Sequence, residues 1–84
     1  MKITVKYFAL LRERMGCESE VLTLDEPEPT VGRVRGLLAD RVPALAPFFS
    51  GGMLLAAVNR EYAAANAVLR DGDELALFPP VSGG

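Results

Sequence analysis

Residues 2–8 alternate, with Ile3, Val5 and Tyr7 on one side and Lys2, Thr4 and Lys6 on the other, which predicts a half-buried strand. Ala9 to Met15 are good helix formers stopped by Gly16, and predict a short helix with a glycine end. Glu18 to Leu24 reads as a second strand. Its buried face stays open, because Val21, Leu22 and Leu24 do not share one parity. Pro27 and Pro29 make residues 25–29 a loop, since proline denies both helix and ladder. Thr30 then stands as an N-cap, followed by Val31, Val34, Leu37, Leu38 and Val42 at three- and four-residue spacing. That stripe predicts the main helix, ended by Pro43. Gly32 and Gly36 each cost it about 1 kcal/mol relative to alanine, a cost expected to let the helix lie close to a sheet. Residues 43–52, with Pro43, Pro47, Gly51 and Gly52 around Phe48 and Phe49, read as irregular. Met53 to Val58 is a strand, Asn59 to Tyr62 a turn, and Ala63 to Ala67 carries no clear period. Asp71-Gly72 centres another turn, and Glu74 to Phe78 is the last strand.

The order is strand, strand, helix, strand, strand, with short helical inserts. An α+β domain satisfies it: a mixed sheet of four to five strands packed on one main helix, which buries the helix stripe. The first and last strands then lie side by side at the centre, as in the β-grasp fold of ubiquitin. A split βαβ arrangement competes, but it needs a second full helix that the pattern lacks. The whole chain, 1–84, is expected to be a single domain with a flexible tail at 79–84.

Composition narrows the chemistry. Half of the 84 residues are apolar and 24% are charged, as in a globular domain. Without histidine and with one cysteine, Cys17, the usual zinc site and an internal disulfide are excluded, so no metal is expected. Cys17 reads as a small unpaired turn residue, and the lack of a disulfide fits a reducing, cytoplasmic setting. The start is no signal peptide, and no apolar run is long enough for a membrane. A net charge of −2 argues against nucleic acid. Glu18, Glu20, Asp25, Glu26 and Glu28 cluster with no intervening base, either as a solvated face or as a patch that steers a basic partner. No side-chain acid–base pair is evident, so catalysis by this chain alone is not expected.

The end of the chain is Pro79-Pro80-Val81-Ser82-Gly83-Gly84. Either it is a frayed end, as termini commonly are, or its terminal carboxylate is the working group. Fully extended, these residues reach about 20 Å from the last strand. Ordering a tail costs about 1–2 kcal/mol per residue, and Pro79 and Pro80 reduce that loss by being restricted beforehand. Gly83 and Gly84 lack Cβ atoms and fit a channel only as wide as a backbone. A carboxylate is a poor acyl donor and must first be activated, for instance as an acyl-adenylate. Parity adds a second candidate. With Leu75 and Leu77 facing the helix, Phe78 points to the other face, and Phe8 lies opposite to Ile3, Val5 and Tyr7. On neighbouring strands the two rings form an exposed docking patch, unless the 9–15 helix or a loop covers them.

Three segments carry a family resemblance: Tyr7-Phe8-Ala9-Leu10-Leu11-Arg12-Glu13, Val58-Asn59-Arg60-Glu61-Tyr62, and most specifically Leu69 through Gly84. The chain resembles the MoaD-type sulfur carriers, small subunits of molybdopterin synthase in the ubiquitin-like ThiS/MoaD family. The resemblance implies that Gly84 is adenylated by an E1-like, MoeB-type enzyme using ATP and is converted to a thiocarboxylate. The tail would enter a MoaE-type large subunit, where the sulfur passes to cyclic pyranopterin monophosphate to build molybdopterin. Gly84 would bear the sulfur, Gly83 would thread the channel, and Phe78, Pro79, Pro80, Val81 and Ser82 would line the partner contact. The chain itself would bind no cofactor. Sulfur and pterin come from the resemblance alone. The rivals are a thiamin-pathway sulfur carrier, typically shorter and without the Phe-Pro-Pro-Val-Ser approach, a longer ubiquitin-like modifier, and a β-grasp interaction module whose Gly-Gly is incidental.

Overall fold

A computed structural model describes residues 1–50 and 54–79. Its elements are β1 (Lys2–Tyr7), α1 (Ala9–Met15), β2 (Ser19–Thr23), α2 (Val31–Arg41), a 3-10 turn (Pro43–Leu45), α3 (Ala46–Ser50), β3 (Leu55–Val58), β4 (Glu61–Ala63) and β5 (Glu74–Phe78). The sheet runs β2-β1-β5-β3-β4. β1 and β5 are parallel at its centre, and the other pairs are antiparallel. This is the expected β-grasp arrangement, an α+β fold with its mixed sheet at five strands.

One face of the sheet is covered. Ile3, Val5 and Tyr7 of β1 and Leu75 and Leu77 of β5 are buried against Val31, Val34 and Leu38 of α2. Leu37 and Val42 flank this core half-buried, so the predicted stripe holds. Thr30 caps α2 as expected, its hydroxyl accepting from the Arg33 amide at 3.1 Å. Gly16 ends α1 at φ +78°, and its amide donates to the Arg12 carbonyl. No helix among the described residues is long and apolar enough to cross a membrane.

The register settles which side of β2 is inward. Ile3 lies opposite Leu22 and Val5 opposite Glu20, so Glu20 and Leu22 face the helices while Val21 faces out, 62% exposed. An inward carboxylate on an edge strand needs partners, and it has them.

Four readings change. Residues 43–50 are ordered as the 3-10 turn and α3, not irregular, and they place Leu45 and Phe49 in the core. Pro47 misleads in sequence because a helix's first turn needs no amide donor. Asn59 to Tyr62 contains more than a turn: Asn59 and Arg60, at φ +49° and +72°, form a two-residue hairpin, and Glu61–Ala63 pairs with β3. The strand expected from Met53 is described from Leu55 onward, Met53 lying outside the described residues. Finally, Gly32 lies against a loop and not the sheet. Its amide donates to the Ala65 carbonyl at 2.8 Å, and a Cβ there would meet that oxygen at 3.2 Å. Nothing crowds Gly36, so its cost has no packing return.

Candidate functional site

Among the described residues, no helix covers the other face of the sheet. Strand alternation puts Phe78, Ala76 and Glu74 of β5 there, because Leu75 and Leu77 point inward and are fully buried. Phe8 follows β1 in extended backbone, its amide donating to the Leu77 carbonyl at 3.3 Å. The two rings meet edge to face, with centroids 6.4 Å apart and planes at 89°. Phe8 remains 45% exposed. Phe78 is half-buried, and among the described residues α1 does not cover Phe8 but turns Leu11 into the core.

Two residues join this patch that the sequence reading did not include. Tyr62 of β4 lies 5.9 Å from Phe78, ring to ring, and Leu55 of β3 is the register partner of Phe78. Both are exposed. Between them Ala57 and Ala76 pair across the strands as a floor of small side chains. Tyr62 was hidden because its face follows only from a hairpin that contains no glycine. Beside the aromatics, Lys6 and Glu74 form an ion pair of 2.7 Å on the same face. The Lys6 hydrogen bond holds the Glu74 carboxyl below its ordinary range. The result is an apolar cluster with a polar border, the usual anatomy of a docking surface.

Pro79 continues directly from β5. Pro80, Val81, Ser82, Gly83 and Gly84 lie outside the described residues. The described chain thus brings Phe8 and Phe78 together and leads toward the rest from the centre of the sheet.

The motif segments hold that central strand in place from its far end. Asn59 exchanges two bonds with Glu74, its amide donating to the Glu74 carbonyl and its side-chain oxygen accepting from the Glu74 amide. Its side-chain nitrogen donates to Asp73, which also accepts from the Arg70 amide. Asp71 accepts from the Lys2 amide at 2.7 Å, and Gly72, at φ +86°, donates to the Lys2 carbonyl. Turn residues that read as punctuation in the sequence therefore stitch the start of β5 to β1 and β3.

A second anchor ties α2 to the sheet edge. Glu20 accepts two bonds from Arg41 at 2.7 Å each and one from the buried Tyr7 hydroxyl at 2.8 Å. The Arg41 bonds hold the Glu20 carboxyl below its ordinary value against the effect of partial burial. Burial, with help from Glu20, pushes the Tyr7 phenol up. Because Glu20 has a lowered folded pKa, its contribution is complete above the unfolded value near 4.5 and is lost as pH falls through the lower folded one. Glu20→Gln is expected to cost about 2 kcal/mol at neutral pH, at the modest end for charge-assisted bonds because Arg41 is half exposed. In urea unfolding the gap between variant and wild type should close at acid pH. A gap that persists unchanged below the folded pKa would contradict this assignment.

The acidic cluster is largely neutralised within the chain. Glu18 pairs with Arg12, Glu20 with Arg41 and Glu26 with Arg33, while Asp25 and Glu28 are exposed. That favours intramolecular pairing over a steering patch. Cys17 is a half-buried thiol packed against the core edge, and no cluster able to hold a metal occurs among the described residues.

Comparison with known proteins agrees with this architecture. The chain is 40% identical over 82 residues to the molybdopterin synthase sulfur carrier subunit of Escherichia coli (strain K12), covering 98% of this chain and 99% of that protein. It is similar in structure to small archaeal modifier protein 1 of Haloferax volcanii, with a TM-score of 0.81 at 32% identity over 95% of this chain and 98% of that one. It also matches a chain in the complex of subunits 1 and 2 of the molybdopterin-converting factor from Helicobacter pylori 26695, at TM-score 0.67 and 25% identity over 100% of both. The sequence pattern of the ThiS family matches residues 5–84, nearly the whole length, and the chain belongs to that family.

Proposed function

We propose that this chain is the sulfur-carrier subunit of a molybdopterin synthase, with Gly84 as the group that carries the sulfur. The observation that carries this reading is the near full-length likeness to the Escherichia coli sulfur carrier subunit. The geometry supports it. An apolar, aromatic patch lies beside the exit of the central strand, so one surface docks while the end of the chain enters a partner's site. A MoaE-type large subunit is the expected partner, in keeping with the two-subunit Helicobacter complex.

The chemistry belongs to the terminal carboxylate. Attack of that carboxylate on the α-phosphorus of ATP, in an E1-like, MoeB-type enzyme, forms an acyl-adenylate and releases pyrophosphate. Sulfide-level sulfur (HS⁻) from the donor then adds to the acyl carbon and displaces AMP, leaving a thiocarboxylate; in the large subunit its sulfur bonds to a carbon of cyclic pyranopterin monophosphate, and water cleaves the acyl–sulfur bond, returning the Gly84 carboxylate. This chain supplies the carried acyl group and the docking face, while its partners supply acid–base catalysis.

Intact-mass spectrometry tests the proposal. Incubation with the activating enzyme, ATP and a sulfur donor is expected to raise the mass by the difference between one sulfur and one oxygen, with no gain when ATP is omitted. An unchanged mass in the full mixture rules the carrier role out. A second reading, conjugation to proteins, is favoured by the likeness to the small archaeal modifier. It predicts an amide between Gly84 and a lysine amine, which the same spectra would show as a larger adduct.

A further inference from the structure

We infer that Glu74 is a positioning residue that holds the Lys6 amine away from the activated Gly84 carbonyl, keeping the acyl group for sulfur. This rests on the carrier role proposed for Gly84. An activated acyl carbon reacts with any amine brought up to it. Of the nine basic residues only Lys2 and Lys6 are lysines, and the guanidinium of arginine is no nucleophile. Met1 supplies a third amine, which donates to the Leu24 carbonyl at 2.9 Å.

Lys6 is the amine nearest the tail. Its register partner on β5 is Ala76, three residues before Pro79 and so about 10 Å from it along the strand. The five residues beyond Pro79 span up to about 17 Å, enough to bring Gly84 back to Lys6. Lys2 lies four residues further from that end, about 23 Å from Pro79, and the extended chain stops short of it. Met1 is further still. Lys6 also shares the uncovered face with Phe78.

The ion pair turns this amine the other way. Lys6 Nζ meets Glu74 at 2.7 Å, and Glu74 is the register partner of Thr4, not of Lys6. The pair therefore runs diagonally and directs Nζ toward the start of β5, away from Phe78 and Pro79. A cleft of about 330 Å³ bordered by Lys6, Phe8, Arg12 and Ser19 gives a released side chain room to swing toward the end of β1. The reaction so avoided is a simple one. Lys6 Nζ, as the free amine, adds to the Gly84 acyl carbon, and the acyl–oxygen bond to AMP breaks. AMP leaves with the electron pair, the nitrogen gives its proton to water, and an amide closes the chain on itself. The two side chains are 44% and 30% exposed, so the restraint has the modest strength of a surface ion pair.

A full-length chain carrying a thioester at Gly84, made by thiolysis of an intein fusion, tests this without an activating enzyme. The closed chain and the hydrolysed chain differ in mass by one water, and peptide mapping locates the amide. Glu74→Gln should raise the rate of amide formation at Lys6 about two- to fivefold over wild type, the scale of one exposed ion pair. Its backbone bonds to Asn59 are unaffected by the substitution, so the fold is retained. Adding Lys6→Arg to Glu74→Gln should abolish that amide. An unchanged rate in Glu74→Gln, zero included, overturns the inference, and so does an increase that maps to Lys2 or Met1. Failure of the carrier role shows separately: the thioester chains behave as expected, while the activating enzyme and ATP leave Gly84 unmodified.

Discussion

Deleting Gly84 should abolish molybdopterin formation by the reconstituted synthase while leaving the affinity of the two subunits nearly unchanged. The deletion still leaves a terminal glycine and a carboxylate, so activation chemistry is not forbidden. What changes is reach. Removing one residue draws the reacting atom back by about 3.5 Å. A misplacement of about 1 Å can already cost a hundredfold in rate, so the loss should exceed a hundredfold. The proposed docking patch of Phe8, Tyr62 and Phe78 is untouched, which is why binding should survive. Product formation measured with the pterin precursor, beside affinity measured by calorimetry, reads the two effects separately. Retained activity would remove Gly84 from the mechanism and with it the carrier proposal.

Phe78→Ala is the second large effect, and it runs the other way. Phe78 is the ring common to both aromatic contacts, edge to face with Phe8 and tilted against Tyr62. It also immediately precedes Pro79, so a partner that grips this ring fixes the direction of the chain beyond. Truncating a central aromatic anchor costs about 2–4 kcal/mol, or about 30- to 1,000-fold in affinity. Val21→Ala provides the control. Val21 is also exposed on this face of the sheet but belongs to the edge strand β2, away from the rings, and its loss should leave affinity within about twofold, as for contacts outside a hot spot. Equal losses in the two variants would mean that the partner covers the whole face, not the aromatic corner.

The two effects divide the working surface into a grip and a reagent. The proposed grip is built on Phe8, which follows β1, and on β4 and β5, and β5 is hydrogen-bonded on both sides. The Asn59–Asp73–Asp71 stitching and the Tyr7–Glu20–Arg41 anchor act at a distance from the rings. They keep the central strands in register, and register decides which side chains reach the outer face.

The sequence alone determined the parts of this protein that depend on local periodicity. Alternation in β1 and β5 made Ile3, Val5, Leu75 and Leu77 inward and released Phe8 and Phe78 to the other face. Three- and four-residue spacing defined α2, and Thr30 and Pro43 marked its ends, because capping and proline geometry act within a few residues. The ending in Gly83-Gly84 and the motif segments pointed to a carrier because they are chemical features needing no fold to be recognised. Only the tertiary structure decided the rest. It assigned the inward side of β2, since Glu20 is an inward residue only when Tyr7 and Arg41 are there to receive it. It turned Asn59 and Arg60 into a hairpin, and so brought Tyr62 beside Phe78, through two positive torsions of which asparagine favours one and arginine opposes the other. It ordered residues 43–50 because Phe49 and Leu45 had a core to fill. At Ala9, with φ +54°, it chose a conformation that local propensity opposes. Each of these outcomes is set by contacts between residues far apart in the chain, whose free energy outweighs the small local preferences a sequence displays.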